Sequence, residues 1–145
     1  MFGGYELYIN NGKKKVKVKT MDFIDRIQKL GVGEIVINSI DNDGVMEGYD
    51  FNLIDKVKAS VKVPLTILGG AGSIDDIALA IQRYGIIGSA AGSLFVFKGK
   101  YKAVLINYLS GIDKDSLISE AGLSGCLKGR KWNKYYKIFQ MVKPS

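Results

Sequence analysis

The 145 residues suffice for one domain, long enough to bury roughly 68–70% of the surface its unfolded chain exposes. With no histidine and a single cysteine, Cys126, the composition excludes an internal disulfide, a histidine-based triad and the usual zinc ligand sets. The net charge of +7 is concentrated in Lys13–Lys19 and Lys128–Lys137, each with five basic residues, which suits either an anionic partner or a solvated hairpin and tail.

Tyr5, Leu7 and Ile9 alternate with polar residues, and Val16 and Val18 alternate with lysines. With Asn11-Gly12 between them, the pattern predicts a β-hairpin whose outward lysines guard an exposed edge. Thr20 is the expected cap of a helix carrying Phe23, Ile27 and Leu30 on one face, with Ile24 adjoining, and Gly31 stops it. Glu34–Ile37 reads as a strand. Asp50 caps a second helix bearing Leu53, Ile54, Val57 and Val61. Pro64–Leu68 is the next strand, with proline at its start, where no ladder donor is lost. Ser73 and Asp76 form a capping box for a third helix, with Ile74, Ile77, Ala78 and Ile81 at helical spacing, and Gly85 stops it. Ile86–Ala90 is a short final strand and Ser93–Phe95 a helical turn. Ala103–Leu109 is apolar and suits helix or strand equally, Ile112–Leu123 suits a helix, and residues 125–145 are basic and aromatic without clear periodicity.

Strands alternating with helices of this length mean βαβ units and a parallel sheet. The strands are apolar throughout, as expected for strands covered on both faces. The start of the chain lacks a basic region followed by an apolar stretch, and no apolar run approaches the roughly 18 residues of a membrane span. A cytoplasmic protein without membrane association is therefore expected.

Three strand ends carry the chemistry. Asn38–Asp50 brings Asp41, Asp43 and Glu47 to one loop, where carboxylates at the end of a parallel strand can act as acid, base or ligand orienter. Asp41-Asn42-Asp43-Gly44 is equally good turn chemistry. Gly69-Gly70-Ala71-Gly72 matches neither the dinucleotide nor the P-loop spacing. Gly92-Ser93 alone is an ordinary tight turn. Backbone amides gathered at strand ends beside helix starts nonetheless make an anion site, so a ligand with a phosphate group is expected.

Taken in order, Gly33–Gly44, Gly48-Tyr49-Asp50, Pro64, Gly69–Gly72 and Ala91–Phe95 closely resemble the cyclase subunit of imidazole glycerol phosphate synthase, the HisF type. The resemblance runs from about Gly4 to Asn107 and includes the hairpin ending in Asn11–Lys14. It implies a (β/α)8 TIM barrel of histidine biosynthesis, a lyase/cyclase that takes ammonia from a glutaminase partner and needs no cofactor or metal. The substrate has a phosphate at each end. By this resemblance Asp43 and Gly44 contact the substrate region, Gly70 donates from the following loop, and Gly92 and Ser93 complete one phosphate site. Glu34 is similar to a member of the charged gate through which ammonia enters, and reads equally well as an ordinary carboxylate at a strand start. The family's pair of catalytic aspartates lies on strands 1 and 5; strand 1 is absent and this chain starts just after the place of the strand-5 aspartate, so no catalytic residue is carried over.

A full barrel of this type needs about 250 residues. The expected architecture is therefore α/β, the C-terminal half of the barrel (strands 5/6 to 8), with an N-terminal hairpin and a basic C-terminal tail. Residues 1–112 are the half-barrel, and residues 113–145 a helix followed by the basic aromatic tail. Its open sheet edges call for a homodimer or for a missing N-terminal half-barrel. The expected function is cyclase-like, with one substrate phosphate site retained and no turnover by the chain alone. Asn38 stands where the family usually has threonine, and Val96 where it often has histidine. The stretch Phe95–Tyr108 resembles more closely a divergent branch associated with acetamidino-sugar modification in surface polysaccharide synthesis, again with a glutaminase partner. A third reading is a non-catalytic half-barrel whose tail, with Trp132, Tyr135, Tyr136 and Phe139 among Lys131, Lys134 and Lys137, binds nucleic acid by stacking and charge.

Overall fold

Alternation at the N-terminus produces an antiparallel hairpin of β1 (Leu7–Ile9) and β2 (Lys14–Val16), paired Leu7 to Val16, Tyr8 to Lys15 and Ile9 to Lys14. The computed structural model describes residues 4–10, 12–98, 103–104, 106 and 109–120. Asn11 of the expected turn lies outside them. Asn10 and Gly12 both adopt left-handed backbone, and the Lys13 amide donates to the Asn10 carbonyl at 3.3 Å. The hairpin is fastened from its base. Thr20 Oγ1 donates to the Tyr5 carbonyl at 2.6 Å, and the Tyr5 hydroxyl donates to Asp50 Oδ1 at 3.0 Å. The Lys56 ammonium sits 4.9 Å over the Tyr5 ring.

Helix α1 (Thr20–Lys29) begins one residue earlier than a Thr20 cap requires. Lys19 is the N-cap residue, and the Thr20 hydroxyl is spent on the hairpin. The buried stripe is also rotated from the expected face. Ile24 is buried and Met21 and Ile27 pack on the core, whereas Leu30 is 77% exposed and Phe23 39%. Gln28 lies on the packed side instead: its amide donates to the Ser60 carbonyl and accepts from the Lys62 amide, tying α1 to residues 60–62.

The central sheet has the order β3 (Ile35–Asn38), β4 (Leu65–Leu68), β5 (Gly88–Ser89), all parallel, with Ile35 opposite Leu65 and Thr66 opposite Gly88. Helix α2 (Phe51–Ser60) links the first two strands and α3 (Ile74–Tyr84) the next two. Because parallel crossovers are right-handed, two successive steps in one direction place both helices on one face. That face is the core: Ile35, Leu65 and Ile67 from the strands and Ile87, just before β5, meet Ile24, Ile54, Val57, Ile77, Ala80 and Ile81 from the helices. Both caps expected for α2 and α3 form. Asp50 accepts from the Leu53 amide at 3.0 Å, and Ser73 and Asp76 make a reciprocal capping box. On the outer surface Arg83 and Tyr84 of α3 both bond Asp55 of α2, at 2.6 and 2.7 Å.

Coverage of the strands on both faces holds only in part. Leu65, Thr66 and Ile67 are all buried, but Val36 is 50% exposed and Ile86 56%. After β5 the chain makes a single turn, α4 (Ser93–Val96), then pairs β6 (Phe97–Lys98) with β7 (Ala103–Val104) antiparallel. The stretch that suited helix or strand thus begins as strand. Helix α5 (Gly111–Glu120) packs on α3 through buried Leu117, and Ser110 bonds hold the Asp113 carboxyl below its usual range. The basic aromatic segment proposed to bind nucleic acid lies outside the described residues.

Ile67 is 1% exposed at the centre of this core, so Ile67→Ala is expected to cost about 2–5 kcal/mol in a urea denaturation series. Burial, and then the bond to Asp55, push the Tyr84 hydroxyl from 10.0 up to about 12. The folded state favours the neutral phenol, so this contribution is complete below pH 10.0 and declines as the pH rises through about 12. Urea midpoints measured over that window should fall less steeply in Tyr84→Phe than in the parent chain.

Candidate functional site

Loop 39–50 follows β3 and is built as a series of tight turns. The amides of Asn42, Asp43 and Val45 donate to the carbonyls three residues before them, at 3.2, 3.3 and 3.1 Å. The loop then folds onto the end of β4. The Gly48 amide donates to the Gly70 carbonyl at 2.9 Å. A Cβ on Gly70 would overlap the Gly48 carbonyl, and one on Gly72 would overlap the Met46 carbonyl. These approaches need glycine, and Gly70 also has φ +110°, a conformation side chains rarely adopt.

The packing leaves a shallow, open cleft at the carboxyl ends of the parallel strands. Asp43 and Gly44 line it from the first loop, residues 68–71 from the end of β4, and residues 91–93 from the end of β5. The five residues singled out from sequence, Asp43, Gly44, Gly70, Gly92 and Ser93, are thus brought together on one cleft. Asp41 and Glu47 are exposed and do not line it. Asn38 Nδ2 donates to Asp43 Oδ2 at 3.3 Å, which steadies the carboxylate at the cleft rim.

Asp76 shapes the surroundings. Its Oδ2 accepts from the amides of Gly72 and Ser73, both at 2.9 Å. Glu34 lies at the other end of the sheet, immediately before β3. Its Oε1 accepts from Thr66 Oγ1 at 2.6 Å, and Thr66 is buried against Gly88, where a Cβ would overlap its hydroxyl.

Tyr49 carried no role in the sequence reading beyond its place in Gly48-Tyr49-Asp50. It is 5% exposed, and its hydroxyl donates to the Ala90 carbonyl at 3.0 Å. Burial pushes that hydroxyl well above the ordinary tyrosine range. Its proton goes to Ala90 rather than to Ser89 Oγ, which is buried without a hydrogen-bond partner among the described residues. A lone polar aromatic between a glycine and a capping aspartate was the available signal, but only the fold shows what the hydroxyl reaches.

Fold and site together define an α/β protein with a glycine-walled cleft at the carboxyl end of a parallel sheet. Residues 2–102 match the family described as "Histidine biosynthesis protein", and the chain belongs to that family. A provisionally named imidazole glycerol phosphate synthase subunit hisF3 from Vibrio vulnificus is 59% identical over 115 residues, 79% of this chain and 44% of the relative. A provisionally named subunit HisF from Leptospira borgpetersenii is 54% identical over 113 residues, 78% of this chain and 44% of the relative. The imidazole glycerol phosphate synthase subunit HisF of Natranaerobius thermophilus is 36% identical over 107 residues, 74% of this chain and 43% of the relative. The chain therefore spans less than half the length of the curated relatives it matches. Among the described residues no helix is long and apolar enough to cross a membrane.

Gly70→Ala would drive a methyl group into the Gly48 carbonyl and is expected to lose at least about 1–3 kcal/mol of unfolding free energy. Gly33→Ala, where a Cβ meets nothing within 4 Å, should stay within about 0.5 kcal/mol of the parent in the same urea titration.

Proposed function

We propose that this chain is the phosphate-gripping half of an imidazole glycerol phosphate synthase cyclase, with the cleft between loop 39–50 and residues 91–93 holding one phosphate of the substrate. The observation that carries the reading is the convergence of Asp43, Gly44, Gly70, Gly92 and Ser93 from three separate strand ends. Glycine walls bring backbone amides close to an anion, and the Ser93 hydroxyl can add a further donor. Asp43 carries negative charge and would repel a phosphate, so its carboxylate suits a sugar hydroxyl beside the phosphate rather than the phosphate itself.

The half-barrel reading draws support from the open sheet. β3 and β5 each pair on one side only among the described residues, and Val36 and Ile86 leave apolar surface on the face away from the helices. A second copy or an N-terminal half-barrel would cover both, but only an N-terminal half-barrel would also supply the catalytic aspartates. In the complete assembly ammonia from a glutaminase subunit would enter at the Glu34 end and react at the cleft end with the open-chain phosphoribulosyl aminoimidazole carboxamide ribonucleotide. The products are imidazole glycerol phosphate, an aminoimidazole carboxamide ribotide and the water lost when ammonia's nitrogen replaces the ketone oxygen. Acetamidino-sugar modification is the second reading. Asn38, which departs from the family's usual threonine, bonds Asp43 and so changes the group that would meet the substrate.

The full chain should bind inorganic phosphate in a 31P NMR titration, and Ser93→Asp should weaken that binding at least about tenfold through like-charge repulsion. With the open-chain substrate and ammonium salt the chain alone should show no turnover. Unchanged phosphate binding in the aspartate variant would remove the cleft as the site, and turnover by the chain alone would remove the half-enzyme reading.

A further inference from the structure

The two walls of the cleft are held together very unequally. On the β4 side, loop 39–50 is locked by the Gly48–Gly70 hydrogen bond and by contacts that admit no side chain at Gly70 or Gly72. On the β5 side the strand is only two residues long. The last backbone bond joining it to β4 runs from the Ala90 amide to the Ile67 carbonyl, at 2.8 Å. Residues 91–93 begin directly after it.

The carbonyl of that same Ala90 takes the Tyr49 hydroxyl. Tyr49 cannot shift along the chain. Gly48 before it is bound to Gly70, and Asp50 after it caps α2 and accepts from Tyr5. Its ring is buried, so the side chain is a rigid spacer of fixed length between the locked loop and the weakly laddered strand end. We propose that Tyr49 is a positioning residue for the cleft: by holding the Ala90 carbonyl, its hydroxyl sets the separation between the glycine wall at 68–71 and the wall at 91–93. This rests on the reading that the cleft takes a phosphate. Tyr49 itself touches no ligand, since it does not line the cleft.

The test uses the 15N-labelled full chain, its Tyr49→Phe variant and Tyr84→Phe as a control. Tyr84 also gives its hydroxyl to partners across two elements, Asp55 and the Phe51 carbonyl, but on the outer surface away from the cleft. Inorganic phosphate is titrated into each, and amide hydrogen exchange is followed without ligand. Tyr49→Phe keeps the ring and should weaken phosphate binding by about fivefold to tenfold, the range governed by one hydrogen bond of ordinary net strength. It should also speed exchange at Ala91, Gly92 and Ser93 while leaving Gly69–Ala71 unchanged. Tyr84→Phe should alter neither.

Equal phosphate affinity in Tyr49→Phe and the parent overturns the proposal. A uniform loss of protection across both walls also overturns it, because that is the mark of a side chain that only fills the core. If the parent chain binds no phosphate, the phosphate reading of the cleft fails. The spacer role then stands or falls on whether faster exchange is confined to residues 91–93.

Discussion

The site depends on two places where the backbone must come closer than any side chain allows. Gly70 and Gly72 let the Gly48 and Met46 carbonyls settle onto the end of β4. Without those approaches loop 39–50 would stand away from the sheet, and the cleft would lose the wall that carries Asp43 and Gly44. Met46 meets this geometry with a left-handed backbone of its own, φ 66°, an uncommon conformation for a residue with a side chain. The loop therefore carries strain that the surrounding contacts must offset, a pattern common beside binding sites.

Much of this was legible in the sequence because local chemistry and tertiary need coincide. Asp50, Ser73 and Asp76 are good caps wherever a helix starts, and here they start the helices that follow two cleft-forming loops. The glycines at 69–72 and 92 mark strand ends by composition alone. The face of α1 was misjudged because apolar spacing treats every hydrophobic residue as a core residue. Gln28, a polar residue, takes a place on the packed side by bonding the Ser60 carbonyl and the Lys62 amide. Likewise Asp41, Asp43 and Glu47 look alike in one loop, and only the turns after Ser39 decide that Asp43 faces the cleft. Tyr49 was silent for the opposite reason. Its partner lies 41 residues away, and a backbone carbonyl has no signature in sequence.

The sheet divides its work by strand position. β4 is buried on both sides and carries the rigid part of the site, whereas Val36 of β3 and Ile86, just before β5, are half-exposed. The polar bond from Thr66 to Glu34 lies on this same side of the sheet. A layer packed on this side would meet an acidic group at the amino end of the strands and apolar side chains beyond it. Such a face disfavours a uniformly greasy partner and favours one whose own polar and apolar rows are in step with it.

Asp76 has a consequence beyond closing the first turn of α3. An eleven-residue helix starting at this end of the sheet would ordinarily compete for any negatively charged group nearby, through its exposed amides and its dipole. Here the protein has filled that position with its own carboxylate, which already holds the amides of Gly72 and Ser73. If the cleft takes a phosphate, as proposed, Asp76 removes the start of α3 as a competing landing place for it. On that reading, where charge docks is set as much by blocking one landing place as by furnishing another.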